Sequence, residues 1–252
     1  MRVTVGCCGY TVSRKLYYQK LAAVEVQTTF YRVVRESTLL KWRSEAPESF
    51  TFTLKAFQGV THPRESPTWR RSNVRPSEGH GLLRLTEEVR DSWRVTMNAC
   101  RALSAKVVVV QTPPAFKDSS INIETAKKFF SSVERDDVII GFEPRGWSAE
   151  SIKEVCEDTD VTHVTDLFVS LPVCVSTSSV AYFRLHGSPP GKRLYKYTYT
   201  DRDLFELAAR LKEVNSRWAI VMFNNVTMFD DASRFVGVLQ SMGCDVDQSM
   251  SK

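Results

Sequence analysis

Short runs of apolar residues, some alternating with polar ones and some unbroken, recur along the chain between turn-forming residues. Such a run is typical of a β-strand, because successive strand side chains point to opposite faces of a sheet. Eight runs meet this description. They are residues 3–9, 23–30, 50–56, 107–113, 138–145, 161–166, 181–187 and 218–225.

Segments with helical character separate most of these strands. The predicted helices are residues 37–45, 82–103, 123–133, 148–157, 201–214 and 231–242. Thr200 with Asp203 forms the pattern of a capping box, and Ser148 occupies the position of an N-cap. Alternation of strand and helix predicts a parallel sheet, and eight such units favour a (β/α)8 TIM barrel over an open doubly wound sheet.

Two connections leave little room for a helix. Residues 167–180, between strands six and seven, contain Pro172 and a Ser/Thr-rich run, so we predict a reduced or missing helix there. Residues 10–22 allow at most a short helix. No repeat or Gly/Ser linker divides the chain, which predicts a single TIM-barrel domain over residues 1–252, with a core of about 3–243 and a tail of 244–252.

Polar residues interrupt the apolar pattern near the carboxyl ends of the strands. They are Glu25, Lys55, Gln111, Glu143, Arg145, Asp166, Arg184, His186, Asn224 and Asn225. In a TIM barrel these ends open onto one face, where active sites of this fold are built. A buried charge must pair, reach water or meet a ligand. A ligand site is the favoured interpretation, and a self-satisfied salt-bridge network is the alternative.

Composition narrows the class of protein. The chain has 252 residues, of which 42% are hydrophobic and 25% charged, and no apolar run approaches the length of a membrane helix. The sequence opens directly on a strand-like pattern, so we expect a cytoplasmic protein. The six cysteines form no Cys-x-x-Cys pair, which favours reduced thiols. A net charge of +5 makes anionic partners plausible without requiring them.

Several ordered blocks resemble the domain-of-unknown-function family 72, also called YecE-like, from Val5 to Asn225. The blocks are Gly6-Cys7-Cys8-Gly9-Tyr10, Val24-Glu25-Val26-Gln27-Thr28-Thr29-Phe30-Tyr31, Trp42 with Pro47, Phe52-Thr53-Leu54-Lys55-Ala56 with Thr61-His62, Val110-Gln111-Thr112-Pro113-Pro114, Glu143-Pro144-Arg145 with Trp147, Arg184-Leu185-His186-Gly187 and Phe223-Asn224-Asn225. The chain departs from the family at Gln27, where Asn is usual, at Pro144, which interrupts the usual Glu-Phe-Arg, and in a shortened aromatic loop.

This resemblance implies a TIM barrel with a polar pocket at the strand ends, but it implies no established reaction. The family is similar in architecture to endonuclease-IV-type and sugar-isomerase-like barrels. By analogy alone, this suggests phosphodiester or sugar chemistry.

The polar residues suit two kinds of chemistry. Glu25, Glu143, Asp166 and His186 are the predicted catalytic residues, and they are also the candidate ligands for a divalent metal such as Zn, Mn or Mg. The chain has only four histidines, and the neighbouring cations would partly neutralise the carboxylates, so an anion clamp is favoured over a tight metal site. The predicted substrate-binding residues are Tyr10, Lys55, His62, Gln111, Arg145, Arg184, Asn224 and Asn225.

These observations predict a hydrolase acting on a phosphorylated or nucleic-acid substrate, with Glu143 or Glu25 as general base and His186 as proton carrier. A non-catalytic module for an anionic ligand or nucleic acid, and a sugar-isomerase-like enzyme, are the alternatives. The loop after His62, with several arginines and Trp69, would contact nucleic acid or, as the favoured interpretation, be a solvated surface. A thiolate nucleophile at Cys7 or Cys8 is a minor alternative.

Overall fold

The strands of the sheet follow one another in chain order. They are β1 (Arg2–Cys7), β2 (Ala23–Val26), β3 (Thr51–Lys55), β4 (Val107–Gln111), β5 (Ile139–Glu143), β6 (Thr162–Thr165), β7 (Val180–Leu185), β8 (Trp218–Phe223) and β9 (Asp245–Val246). The structure is a computed structural model that describes residues 1–187 and 194–248. Strand β1 pairs in parallel with both β8 and β2, which closes the first eight strands into a barrel. The predicted TIM-barrel fold is confirmed.

Helices fill most of the connections between strands. They are α1 (Arg14–Tyr18), α2 (Thr28–Tyr31), α3 (Glu36–Glu45), α4 (Glu87–Leu103), α5 (Ser120–Ser132), α6 (Ala149–Thr159), α7 (Asp201–Lys212) and α8 (Met228–Ser241). Two 3-10 turns, Gln58–Val60 and Pro67–Arg71, lie between β3 and α4. Residues 166–179 contain no helix, as predicted. Among the helices of residues 1–187 and 194–248, none combines the length and the apolar character that crossing a membrane requires.

Capping explains where two of the helices begin. Thr200 accepts the backbone N–H of Asp203, and the Asp203 carboxylate accepts the backbone N–H of Thr200, so the predicted capping box is confirmed. The Ser148 hydroxyl accepts the backbone N–H of Ser151 at the start of α6. Both side chains satisfy N–H groups that the first helical turn leaves without partners.

Three differences from the predicted elements stand out. Strand β2 ends at Val26 because residues 28–31 form the helical turn α2. Helix α4 begins at Glu87, five residues later than predicted, because Leu82 and Leu83 adopt positive φ angles and donate their backbone N–H groups to Thr61 and Val60. The predicted tail contains β9, which pairs with the start of β1.

The chain divides into two compact units. The first unit comprises Met1–Glu25, Ala46–Thr51 and Val164–Lys252, and the second comprises Val26–Glu45 and Phe52–His163. Within the second unit, parallel pairing joins β3 to β4 and β4 to β5, so that the carboxyl ends of these three strands are neighbours. The predicted site residues are therefore described unit by unit.

Candidate functional site

A buried ion pair joins β2 to β7 in the first unit. The guanidinium Nη2 of Arg184 lies 2.9 Å from Oε1 of Glu25, and the two side chains are 2% and 0% exposed. The Tyr182 hydroxyl donates a 2.8 Å hydrogen bond to the other carboxylate oxygen. Tyr182 and Arg184 are two residues apart on one strand and so share a face. Both oxygens of Glu25 are engaged, which is the arrangement of an organising carboxylate and not of an accessible general base.

The two cysteines at the end of β1 are buried thiols. Burial raises the pKa of Cys7 to about 12, and the Cys7 Sγ donates to the carbonyl of Met228 over 3.3 Å. Burial, with the charge of Glu25, raises the pKa of Cys8 well above its usual range. A nucleophilic cysteine needs a lowered pKa, so the minor alternative of a thiolate nucleophile is not supported.

Asp166 and His186 lie together where β6 and β7 end. One Asp166 oxygen accepts the backbone N–H of His186 at 2.9 Å, and the other accepts that of Phe168 at 3.0 Å. The Nδ1 atom of His186 is 3.7 Å from the Asp166 carboxylate, and the ring lies edge-on to Tyr195. The structure thus brings these two predicted catalytic residues together, with the carboxylate oxygens already accepting backbone donors.

The remaining substrate-binding candidates of the first unit make contacts within the protein. The amide nitrogen of Asn225 donates to the Asp231 carboxylate over 2.7 Å, which ties the end of β8 to helix α8. Asn224 is half-buried, and its backbone N–H donates to the Leu185 carbonyl. The Tyr10 hydroxyl lies 3.2 Å from that of Tyr18. Asn225 therefore has a visible structural role.

A second polar group gathers around one phenylalanine ring in the second unit. The Lys55 Nζ lies 3.6 Å from the centre of the Phe30 ring, a cation–π contact. The His62 ring meets the same phenylalanine edge-on at 5.0 Å between centres. The hydroxyl of Thr61 is 2.7 Å from Nδ1 of His62. Helix α2 and the turn after β3 thereby hold a lysine and a histidine close to each other.

The electrostatics of this group keep its histidine neutral. Burial, followed by the positive charges of Lys55 and Arg145, lowers the pKa of His62 to about 3. Burial also lowers the pKa of His163 to about 4, against the opposing effect of the Glu143 carboxylate. At neutral pH both imidazoles are uncharged, so the net charge around His62 comes from its two cationic neighbours.

The end of β5 supplies the carboxylate of the second unit. Nη2 of Arg145 lies 3.4 Å from Oε1 of Glu143, with the arginine side chain 30% exposed and the glutamate 10%. Gln111 is the register partner of Glu143 on β4. We define the anion cluster as Lys55, His62, Glu143 and Arg145.

The predicted metal ligands are not assembled as a metal site. In the described ranges 1–187 and 194–248, no three or more His, Cys, Asp or Glu side chains are grouped so that they could hold a metal ion. The carboxylate oxygens of Glu25 already accept from Arg184 and Tyr182, and those of Asp166 accept backbone N–H groups. The assignment of Glu25, Glu143, Asp166 and His186 as metal ligands therefore stays a prediction.

The basic loop after His62 is partly neutralised and its tryptophan is buried. Arg64 pairs with Glu65 at 3.1 Å and with Glu78 at 2.5 Å. Trp69 is 7% exposed and donates its indole N–H to the Pro63 carbonyl over 2.9 Å. A buried ring cannot stack on a nucleic-acid base, so the loop supports the interpretation as a surface segment.

Sequence reasoning missed three residues of these groups. They are Phe30, Tyr182 and His163. The spacing of Tyr182 and Arg184, two apart on β7, was a usable signal because both must face the same side. No comparable signal marked Phe30, because its role depends on a lysine 25 positions further along the chain.

Comparison with known proteins gives a family and a fold. The family model described as "Protein of unknown function DUF72" matches residues 11–248. A crystal structure of a DUF72 family protein from Thermotoga maritima is 21% identical, with a TM-score of 0.70, and the alignment covers 95% of this chain and 100% of that one. A DUF72 family protein from Enterococcus faecalis is 17% identical, with a TM-score of 0.72 and coverage of 99% and 98%.

A more distant solved structure extends the likeness beyond the family. A xylose isomerase domain containing protein from Salmonella typhimurium is 11% identical, with a TM-score of 0.57, and the match covers 92% of this chain and 93% of that one. At such identities a structural likeness shows the fold alone. No curated protein matches the sequence.

Proposed function

We propose that the protein is a hydrolase that acts on a phosphorylated substrate at the anion cluster. The chain belongs to the family of proteins of unknown function DUF72. The observation that carries this proposal is the contact of Lys55 and the buried His62 with one phenylalanine ring, together with the positive charge of Arg145, which also acts on His62. Burial is the main cause of the lowered pKa of His62, and the further lowering by Lys55 and Arg145 indicates local positive charge. Lysine and arginine side chains together bind a phosphate group well.

Each residue of the anion cluster has a role in this chemistry. Lys55 and Arg145 hold the phosphoryl oxygens and stabilise the charge of the transition state. His62, whose Nδ1 contacts Thr61, carries its proton on Nε2 when the Thr61 hydroxyl donates, and it then offers an N–H to a phosphoryl oxygen. Because His62 is neutral at neutral pH, it acts as a hydrogen-bond donor and not as an acid.

Glu143 is the proposed general base. It takes a proton from the attacking water as the new P–O bond forms, and the departing oxygen takes up a proton from solvent water as the ester P–O bond breaks. Its carboxylate is at the end of β5, close to the partly exposed Arg145, so a ligand that engages the arginine lies near the base. Each role in this scheme is assigned to a side chain of the anion cluster.

A non-catalytic module that binds an anionic ligand is the second candidate. The 3.4 Å approach of Arg145 to Glu143 favours it, because a carboxylate that faces an arginine is a weaker base. In this alternative the same lysine and arginine bind the anion, but no bond is broken. Binding alone therefore does not distinguish the two candidates, whereas turnover does.

The test uses 4-nitrophenyl phosphate and bis(4-nitrophenyl) phosphate, which represent a phosphomonoester and a nucleic-acid-like diester. We expect release of nitrophenol from one of them, reduced at least about 100-fold in kcat by Glu143→Gln. Inorganic phosphate should still raise the melting temperature of that variant. Glu150→Gln, in the exposed first turn of α6, is the matched control and should keep full activity.

Binding residues are tested in parallel. Lys55→Gln should abolish the stabilisation by phosphate, and Lys117→Gln, at an exposed position, should not. Phosphate stabilisation without turnover of either ester would overturn the hydrolase in favour of the binding module. Conversion of an unphosphorylated sugar without phosphate release would overturn it in favour of a sugar-isomerase-like enzyme.

A further inference from the structure

A cleft opens on the second unit between the start of α3 and the outer face of α4. Its volume is about 430 Å³, within the range of small-molecule sites. The residues that line it are Thr29, Arg32, Val33, Val34, Arg35, Glu36, Leu39, Val95, Thr96, Asn98, Ala99 and Arg101. We call it the Arg35 cleft. None of its lining residues belongs to the anion cluster.

The Arg35 cleft has an apolar interior. Leu39 and Ala99 are buried at its base, and Val33, Val34 and Val95 line it while remaining partly exposed. Three half-exposed valines in one concave surface leave apolar area in contact with water, and a ligand with an apolar body would remove that contact.

The rim of the cleft is cationic. Arg32 uses its Nε to bond the carbonyl of Arg71 at 3.1 Å, and within the described chain neither Arg32 nor Arg35 has a carboxylate partner. Arg101 is balanced by Asp136 and Glu134. Three arginines and one glutamate line the cleft, and the positive charge available to a ligand is that of Arg32 and Arg35, with Glu36 next to Arg35 in the sequence.

The walls of the cleft are held in place before any ligand arrives. The side chain of Asn73 accepts the backbone N–H of Val33 at 2.9 Å and donates to its carbonyl at 3.0 Å. Thr29 donates to the Lys55 carbonyl at 3.0 Å, and Thr96 accepts the backbone N–H of Phe57 at 3.0 Å. A preorganised site loses less conformational entropy on binding.

From the apolar interior, the cationic rim and the fixed walls, we propose that the Arg35 cleft binds a small organic anion with an apolar body, such as a medium-chain carboxylate. The carboxylate would bond Arg35 and Arg32 at the rim, and the hydrocarbon would cover Val33, Val34 and Val95. This site is separate from the anion cluster and does not depend on the proposed hydrolysis.

The test measures the binding of octanoate by isothermal titration calorimetry. Acetate keeps the charge without the apolar body, and 1-octanol keeps the body without the charge, so octanoate should bind more tightly than either. Arg35→Gln should weaken octanoate at least about tenfold, as expected when a charge-assisted hydrogen bond is lost. Arg90→Gln, on α4 outside the cleft, is the matched control and should bind octanoate unchanged.

A second variant separates shape from charge. Val95→Phe should fill the cleft and weaken octanoate while the far-ultraviolet circular dichroism and melting temperature stay close to those of the parent. The proposal would be overturned if octanoate and 1-octanol bound with equal affinity, or if Arg35→Gln and Arg90→Gln bound octanoate equally well. The absence of any heat of binding at about 10 mM octanoate would also overturn it.

Discussion

Each unit of the molecule contains a carboxylate paired with an arginine, and the two pairs differ in their access to water. In the first unit, Glu25 and Arg184 are 2.9 Å apart and at most 2% exposed. In the second unit, Glu143 and Arg145 are 3.4 Å apart, and the arginine is 30% exposed. The same two residue types therefore form a closed ion pair in one place and an open one in the other.

This difference in exposure distinguishes an ion pair that organises the protein interior from one that can bind a ligand. The charges of a closed pair are already desolvated, so breaking the pair leaves an uncompensated charge in the protein interior. In the open pair Arg145 retains contact with water, so a phosphate can compete with the carboxylate for the arginine. Composition alone cannot tell the two cases apart, and burial decides which pair can exchange its partner.

The largest expected effect tests the closed pair. Glu25→Gln leaves the buried Arg184 without its counter-charge and should lower the free energy of unfolding by about 3–5 kcal/mol. Glu143→Gln is the matched control and should lower it by less than about 1 kcal/mol, because Arg145 still reaches water. Urea unfolding measures both. Equal losses in the two variants would abolish the distinction between the pairs.

The neutral histidines of the second unit predict a pH dependence. The folded pKa values of His62 and His163, about 3 and about 4, lie below the unfolded value of about 6.5. The unfolded chain therefore binds more protons in acid, so the stabilising contribution is complete above about pH 6.5 and is lost as the pH falls towards 4.

The expected size is about 1.4 kcal/mol per pH unit for each histidine, or about 2 kcal/mol between pH 6 and pH 4.5. The variants His62→Gln and His163→Gln should each lose the contribution of one histidine to the pH dependence of the free energy of unfolding. The double variant should lose both contributions. Urea unfolding at several pH values compares the variants with the parent. An unchanged slope in both single variants would contradict buried neutral imidazoles.

The fold was predictable because its signals are local and repeated. Eight apolar runs with polar residues near their ends predicted the barrel and the face that carries the charges. The end of β2 and the start of α4 were predicted less well, because a local helical turn ends β2 and long-range backbone hydrogen bonds delay α4. Leu82 and Leu83 continue an apolar pattern, yet their N–H groups bond residues 60 and 61 instead of starting a helix.

The candidate site was predictable as a set of residues but not as a set of contacts. The pairing of Arg184 with Glu25 joins positions 159 residues apart, and nothing in either local pattern chooses Glu25 over another carboxylate. For the same reason the contacts of Glu25, which was predicted as a base and a metal ligand, could not be predicted. Its two oxygens accept from Arg184 and Tyr182.

The smallest expected effect concerns the phenol that completes the closed pair. Tyr182→Phe removes the 2.8 Å hydrogen bond to Glu25 but leaves Arg184 in place, so the carboxylate remains paired. We expect a loss of about 1.5 kcal/mol in the free energy of unfolding, the lower end for a hydrogen bond to a charged group. Tyr10→Phe, which removes a half-buried contact between two neutral hydroxyls, should cost less. A loss in Tyr182→Phe as large as that in Glu25→Gln would mean that the phenol, and not the arginine, satisfies the buried carboxylate.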